Sequence, residues 1–174
     1  MSEVVLLDMD GVLCDFVKSA LTCHGRMDKY PVRQWDMAAE LGITDAEFWN
    51  PLVGHEFWYG IDPYEWCFDL VDVVQSASSG NVTLATSPCS DPFSASGKVA
   101  WIQKHLKHLS RKFLIGPEKH RMAKSGVVLI DDSDSNCDKF SDAGGRSILF
   151  PQPWNANRHL CGDRVGYVKS QLEI

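Results

Sequence analysis

The sequence predicts an α/β fold in which a parallel sheet lies between layers of helices, a Rossmann-like arrangement. Five short apolar runs recur along the chain without the polar alternation of a sheet that faces water on one side. Segments with helical spacing lie between these runs, and an alternation of strands and helices is typical of a parallel sheet. The five predicted strands cover residues 4–7, 82–85, 112–115, 127–130 and 147–150.

Three of the intervening segments carry helix signals. Residues 62–65 read Asp-Pro-Tyr-Glu, a helix start in which Asp can cap, Pro fits the first position and Glu completes a capping box. This helix is expected to end near residues 78–80. Apolar side chains three and four residues apart predict a second helix over 99–106. A third helix is expected over 134–143, before two glycines.

Residues 17–61 interrupt this alternation. They contain helix signals, including a stretch at 31–41 and a capping box at 44–47, but no good strand. Their aromatic content exceeds what a linker would carry. We interpret the segment as a small helical cap inserted after the first strand, with residues 1–16 and 62–174 forming the α/β core domain. Extra helices packed on the core away from any site would explain the same composition, and the sequence does not decide between the two.

Composition and charge exclude several classes of protein. A chain of 174 residues, 44% of them hydrophobic, can bury about 70% of its unfolded surface without disulfide or metal staples. Its apolar runs are too short for a membrane span, and no export signal is expected at the N-terminus. The formal net charge of −6 and the absence of a long basic run argue against a duplex nucleic-acid binder. The six cysteines lack zinc-site spacing, so we expect reduced thiols in a cytoplasm.

Acidic side chains follow two of the predicted strands. Asp8 and Asp10 follow the first strand, and Asp131 and Asp132 follow the fourth. If these strands are neighbours, the carboxylates converge and repel one another unless a cation is present. Few carboxylates with positions left for water and phosphate favour Mg²⁺ over Ca²⁺ or Zn²⁺. The alternative for the first pair is an acidic turn without function.

Hydroxyl and cationic side chains follow the other predicted strands. Thr86 and Ser87 end the second strand, Lys98 lies near the start of the next helix, and Lys119 and Arg121 follow the third strand. Hydroxyls, backbone N–H groups and cations at strand ends can hold phosphate oxygens. Each signal is weak alone, since a surface lysine is usually only solvated. Together with the acidic pairs they predict a site that handles phosphate.

This set of residues resembles the haloacid dehalogenase (HAD) superfamily of aspartate-nucleophile phosphatases. Residues 8–12, Asp-Met-Asp-Gly-Val, look like its first motif and Thr86 like its second. A lysine together with Asp131 and Asp132 looks like its third and fourth motifs. The resemblance implies the haloacid dehalogenase fold, with a cap after the first strand.

A closer resemblance is to the 5'(3')-deoxyribonucleotidases of bacterial or phage type. The chain departs from that family at residues 119–121, where Arg-x-Lys is reversed to Lys-His-Arg, so the sequence leaves open which cation serves the site. The cap shares little with the family beyond its aromatic residues. The matching segments are residues 8–16, 57–59, 62–63, 86–88, 98–101, 129–132 and 144–150.

The resemblance implies a Mg²⁺-dependent phosphomonoesterase that hydrolyses (deoxy)nucleoside 5'- or 3'-monophosphates through an aspartyl-phosphate. Asp8 is then the nucleophile and Asp10 the general acid and base. Mg²⁺ is held by Asp8, by the backbone carbonyl of Asp10 and by Asp131 or Asp132. The phosphate oxygens are held by the residues Thr86, Ser87, Lys98 and either Lys119 or Arg121.

Aromatic side chains near the cap are candidates for binding the nucleobase, because stacking on an aromatic ring contributes about 1–3 kcal/mol per base. The candidates are Phe16, Phe57, Trp58 and Tyr59. Ordinary packing between cap and sheet explains the same residues, and the cap could equally bury a homodimer surface. A sugar phosphate or a polynucleotide 3'-phosphate end is an alternative substrate, and a phosphate-binding protein without catalysis is an alternative function.

Overall fold

The computed structural model describes residues 3–172 and contains one sheet of five parallel strands. The strands are β1 (Val4–Leu7), β2 (Val82–Thr86), β3 (Phe113–Ile115), β4 (Val127–Asp131) and β5 (Arg146–Leu149). Their order across the sheet is β3-β2-β1-β4-β5, so the first strand of the chain is central. Val5 on β1 pairs with Val82 on one side and Val128 on the other. The predicted fold class is confirmed.

Helices occupy much of the rest of the described chain. Four short 3₁₀ helices cover Met27–Lys29, Lys107–Leu109, Lys119–Met122 and Arg158–Leu160. The α-helices are α1 (Phe16–Cys23), α2 (Met37–Leu41), α3 (Asp45–Trp49), α4 (His55–Tyr59), α5 (Cys67–Ala77), α6 (Phe93–His105), α7 (Asp134–Asp142) and α8 (Arg164–Gln171).

Both faces of the sheet are covered, which explains the continuous apolar runs in the sequence. Val5 and Leu7 of β1 point into a large core cluster that also takes residues from α5, α6 and α8, while Leu6 points into a smaller cluster on the opposite face. Phe140 of α7 fills that second cluster. The carboxyl ends of all five strands therefore lie at one edge of a sheet that is rigidly packed between helices.

The predicted helix start at residues 62–65 is wrong, because α5 begins only at Cys67. The backbone before it is used in tertiary hydrogen bonds instead. Asp15 donates its N–H to the carbonyl of Asp62 (2.9 Å), and Tyr64 donates to the carbonyl of Leu13 (2.9 Å). These bonds hold residues 62–64 extended against the segment that leaves β1, so the local capping signal is overridden by a pairing distant in sequence.

Residues 17–52 form a buried cluster of their own, separate from the core on either face of the sheet. The helices that form it start at capped residues: Asp15 accepts a hydrogen bond from the N–H of Lys18, and Thr44 forms the predicted capping box with Glu47. By contrast α4 packs closely on α6, where a Cβ on Gly97 would lie 2.5 Å from the Cβ of Trp58. The division into a core and a cap over 17–61 stays a prediction.

The described residues contain no disulfide; the six cysteines are free, and Cys14, Cys67 and Cys137 are buried. None of the helices within residues 3–172 combines the length and the apolar character needed to span a lipid bilayer.

Candidate active site

The acidic residues that follow β1 and β4 meet at the carboxyl edge of the sheet. Asp8 follows β1 directly, and its N–H donates to the carbonyl of Ile130 (2.9 Å) on the neighbouring strand. Asp8, Asp131 and Asp132 are all buried, and each offers a carboxylate oxygen that lies within 4.8 Å of the other two. Three hard oxygen donors at this spacing fit a divalent cation such as Mg²⁺. We refer to these three residues as the acidic cluster.

Burial of like charges perturbs the acidic cluster. Burial raises the pKa of Asp8, Lys119 opposes that rise, and the nearby carboxylates of Asp131 and Asp10 add to it; together these effects bring the pKa of Asp8 to about 7. Burial, followed by repulsion from Asp131 and Asp8, raises the pKa of Asp132 well above its ordinary value. A bound cation would relieve both effects, because it favours the ionised carboxylates.

Lys119 is the cation at the centre of the acidic cluster. Its buried ammonium lies 2.7 Å from Asp8 and 2.6 Å from Asp131. Burial lowers the pKa of Lys119, but the two carboxylates outweigh it and leave that pKa above its usual range. The structure does not bring Arg121 to this position: its side chain is exposed and donates to Glu118 at 2.7 Å. Of the two cations left open by the reversed motif, only Lys119 contacts the acidic cluster.

Asp131 is fixed by further donors on the loop and helix that follow β4. The N–H of Ser133 donates to it at 2.9 Å, and the Asn136 amide donates to both of its oxygens at 3.1 and 3.2 Å. Together with Lys119, these donors occupy much of its hydrogen-bonding capacity. Asn136 lies in the first turn of α7 and belongs to no motif from which its role could be predicted.

Lys98 links the ends of β1 and β2. Its buried ammonium contacts the Asp10 carboxylate and donates to the hydroxyl of Thr86 at 3.1 Å. The Cys14 thiol donates to the other oxygen of Asp10 at 3.3 Å, a contact that sequence reasoning missed. Ser87 also lies at the end of β2, and its hydroxyl donates to a backbone carbonyl on the loop after β3 at 3.4 Å. The predicted hydroxyl and cationic residues other than Arg121 therefore gather at one edge of the sheet.

The turn after Asp10 accepts only glycine. Gly11 has φ +76°, and a Cβ there would overlap the carboxylate of Asp132, with the Cγ of that residue 2.7 Å away. The same Cβ would lie 3.2 Å from the indole of Trp154. The loop after β1 therefore passes directly over the acidic cluster because residue 11 has no side chain.

A cavity of about 380 Å³ opens beside the acidic cluster. Asp10, Gly11 and Asp132 form part of its wall, together with apolar residues of the 17–61 segment. Its remaining carboxylates are Asp36 and Asp45, and the described residues that line it include no lysine, arginine or histidine. Its aromatic walls are Phe16, Trp35, Phe48, Trp49 and Trp154.

Only Phe16 among the four predicted base-binding residues lines this cavity. Trp58 is buried behind it, stacked at 5.7 Å between ring centroids, and its indole N–H donates to Asp91 at 3.2 Å. Phe57 packs edge-on to Phe16 and on Trp58, and Tyr59 stacks on a histidine of α4. The structure directs these side chains elsewhere because α4 packs against α6.

The sequence shows the aromatic residues that line the cavity, but nothing in it distinguishes them from the aromatic residues that are buried. Trp35, Phe48 and Trp49 belong to the same aromatic-rich segment as most of the predicted base-binding residues. Trp154 lies in the loop after β5, far from that segment in sequence. No spacing rule distinguishes a cavity wall from a buried contact in such a segment.

A family model described as "5' nucleotidase, deoxy (Pyrimidine), cytosolic type C protein" matches residues 2–167 of the chain. The chain belongs to this family. The match confirms the resemblance to deoxyribonucleotidases that the strand-end motifs indicated. As a member of the family, the chain is a phosphatase of the HAD superfamily, and its acidic cluster has a spacing that could hold a metal ion. No protein of curated function matches the sequence.

Two solved structures illustrate what this nucleotidase-family chain is similar to. The HAD-hydrolase YfnB from Bacillus subtilis, bound to magnesium, is 11% identical, with a TM-score of 0.59 over 99% of both chains. The HAD family enzyme bt-2542 from Bacteroides thetaiotaomicron, solved with magnesium and inorganic phosphate, is 15% identical, with a TM-score of 0.48 over 92% of this chain and 99% of that chain. At 11% identity the likeness to YfnB supports the fold alone.

Metal binding to the acidic cluster depends on pH, since the ligands must be ionised. The pKa of Asp8 is about 7 in the folded protein against 3.8 for an ordinary aspartate. Between these values the folded state holds a proton that the unfolded state has released, so the free energy of unfolding of the metal-free protein falls as pH rises. We expect Mg²⁺ to raise the melting temperature more at about pH 8 than at about pH 5.5 in calorimetry.

The Asp8→Asn variant is the control for this prediction, because it has no carboxyl group to titrate at that position. Its metal-free stability should depend less on pH over the same range, and Mg²⁺ should shift its melting temperature less. An effect of Mg²⁺ that is equal at both pH values in the wild-type protein contradicts the raised pKa of Asp8.

Proposed function

We propose that the chain is a Mg²⁺-dependent phosphatase of (deoxy)nucleoside 5'- or 3'-monophosphates. One observation carries this proposal: an aromatic-walled cavity of about 380 Å³ is lined by Asp132 of the acidic cluster and by Asp10. If the phosphate group of a substrate binds beside these residues, the organic group attached to it lies in the cavity. The flat face of a nucleobase suits such walls, with stacking that contributes about 1–3 kcal/mol per base.

Charge in the cavity supports a nucleoside over a polynucleotide end. The described lining contains the carboxylates Asp10, Asp36, Asp45 and Asp132 and no cationic side chain, and only Asp10 among them pairs with a lysine, Lys98, from behind the wall. A nucleoside leaving group is neutral, whereas an oligonucleotide brings further phosphodiester charges that these carboxylates repel. The charge of the reacting phosphate would be offset by a metal ion held at the acidic cluster and by Lys98 and Lys119.

In the first half of the proposed reaction, Asp8 attacks phosphorus in line. A bond forms between its carboxylate oxygen and phosphorus as the bond from phosphorus to the ribose oxygen breaks. Asp10 donates a proton to that oxygen, so the nucleoside leaves neutral. Lys119 holds Asp8 in position through its 2.7 Å contact, and Lys98 and Cys14 hold Asp10.

In the second half, Asp10 takes a proton from water, and the resulting oxygen nucleophile attacks phosphorus. The bond between phosphorus and Asp8 breaks, which releases inorganic phosphate and restores both carboxyl groups. Asp8, Asp131 and Asp132 would hold Mg²⁺, assisted by the carbonyl of Asp10. When bound, Mg²⁺ offsets the repulsion between the phosphate and the attacking carboxylate. Thr86, Ser87 and Lys98 would hold the phosphate oxygens as charge shifts.

Phosphate release from a panel of monophosphates tests the substrate class. The panel holds dUMP, dTMP and dGMP, their 3' isomers, the ribonucleotides, sugar phosphates and a 3'-phosphorylated oligonucleotide, each with Mg²⁺ and with EDTA. We expect Mg²⁺-dependent release, with kcat/KM for deoxynucleotides at least about tenfold above that for sugar phosphates and the oligonucleotide. A preference for sugars or the oligonucleotide would keep the chemistry and reject the nucleobase slot.

The Asp8→Asn substitution tests the nucleophile. We expect kcat to fall by at least about 10⁴-fold, because an amide cannot form the acyl phosphate. Asp138→Asn, which changes an exposed carboxylate on α7, is the matched control and should retain wild-type turnover. Circular dichroism should report the same fold for both variants. Substantial turnover by a folded Asp8→Asn protein would remove Asp8 from the mechanism.

Trp49→Ala tests the aromatic wall. Trp49 lines the cavity and stacks on Phe16 at 6.0 Å between ring centroids. Loss of one stacking partner should raise KM for a deoxynucleotide by about 5- to 100-fold while kcat changes little, since stacking stabilises ground and transition states alike. Phe68→Ala, an exposed aromatic on α5, is the control. An unchanged KM in Trp49→Ala would argue against base binding at this wall.

A further inference from the structure

The loop after β5 is bonded to both strand ends that form the acidic cluster. The buried amide of Gln152 donates to the carbonyl of Gly11, in the turn after β1. The buried amide of Asn155 donates to the carbonyl of Asp132 at 2.9 Å and to that of Phe150 at 2.7 Å. Residues 152–155 are therefore held beside the acidic cluster by side-chain bonds to backbone carbonyls that follow two different strands, β1 and β4.

Trp154 lies between these two anchors and touches the cluster with its side chain. Its indole N–H donates to Oδ2 of Asp132 at 2.9 Å, and its ring lines the cavity beside Gly11. Trp154 belongs to none of the strand-end motifs. One side chain thus contacts a member of the acidic cluster and the space in which an organic group would lie.

A hydrogen bond from a rigid donor restricts how a carboxylate can rotate. Without it, the Asp132 carboxyl group can turn about its Cβ–Cγ bond, and ordering it on metal binding then loses entropy. Donors that orient metal-binding carboxylates in this way commonly change metal affinity or activity by about 10- to 100-fold when they are removed. Trp154 is suited to this task because the anchors at Gln152 and Asn155 hold its backbone.

We propose that Trp154 is a positioning residue that orients Asp132 for Mg²⁺ through its indole N–H. The inference rests on the proposed function, because it requires that the acidic cluster bind Mg²⁺. The N–H acts on the metal ligand, while the ring forms the cavity wall, so the two contributions are separable by substitution. Phenylalanine keeps a ring against the cavity and removes only the donor.

Titration of the metal-free protein with Mg²⁺ in a calorimeter tests the proposal. We expect Trp154→Phe to bind Mg²⁺ about tenfold more weakly than the wild type, with unchanged circular dichroism and a similar metal-free melting temperature. Trp35→Phe is the matched control: it alters another tryptophan of the same cavity and should leave Mg²⁺ affinity unchanged. In activity assays, Trp154→Phe should require more Mg²⁺ for half-maximal rate, and excess Mg²⁺ should restore most of kcat.

Asp132→Asn distinguishes failure of this inference from failure of the proposed function. If Asp132→Asn weakens Mg²⁺ binding and Trp154→Phe does not, the positioning role is wrong while the metal site stands. If the wild-type protein binds no Mg²⁺, the proposed metal site is wrong and the positioning role falls with it. If Asp132→Asn binds Mg²⁺ as tightly as the wild type, Asp132 is not a ligand, and the positioning role is wrong while Asp8 and Asp131 can still form the metal site. If the positioning role is right, the double variant that carries Trp154→Phe and Asp132→Asn binds Mg²⁺ no more weakly than Asp132→Asn alone. The reason is that Trp154 acts on the metal only through Asp132.

Discussion

Buried negative charge is concentrated at the carboxyl edge of the sheet, and the groups around it are arranged to offset that charge. Asp8, Asp131 and Asp132 lie within 4.8 Å of one another, out of water, where their mutual repulsion is poorly screened. Lys119, wedged between two of them, offsets part of that repulsion. The repulsion that Lys119 does not offset favours the binding of a divalent cation. The same repulsion destabilises the metal-free protein, and an enzyme can tolerate that cost because it creates the metal site.

The sheet topology is what makes this concentration possible. β1 and β4 are neighbours although about 120 residues separate them in the chain, and their parallel pairing brings Asp8 beside Asp131. On the other side of β1, the pairing with β2 brings Thr86 close to Asp10, with Lys98 bridging them from α6. Chemistry that involves four elements of the chain is therefore organised around one central strand.

The acidic cluster and the aromatic cavity are formed mainly by different parts of the molecule. The strand ends provide carboxylates and hydroxyls, and α6 and the 3₁₀ helix at residues 119–122 provide the lysines that bond to them. The 17–61 segment provides most of the aromatic cavity wall and has a core cluster of its own. The loop that contains Trp154 touches both parts. Such a division allows the cavity to vary without disturbing the groups that act on phosphate.

Much of the fold and of the acidic site follows from the sequence by itself. Uninterrupted apolar runs predict strands buried on both faces, and polar residues at their ends gather at one edge because parallel strands share a direction. Local signals succeeded where local bonds decide, as in the capping box at Thr44 and Glu47. They failed at residues 62–65, where hydrogen bonds to the segment after β1 outweigh the capping preference.

Only the tertiary structure decided which aromatic residues face the cavity and which cation faces the acidic cluster. Trp58 and Trp49 are chemically alike and nine positions apart, yet one is buried against α6 and the other lines the cavity. Lys119 and Arg121 are two positions apart, and only the first points inward. Residue type and spacing determine that such groups are present. Their orientation depends on how segments that are distant in the sequence pack against each other, which no local pattern encodes.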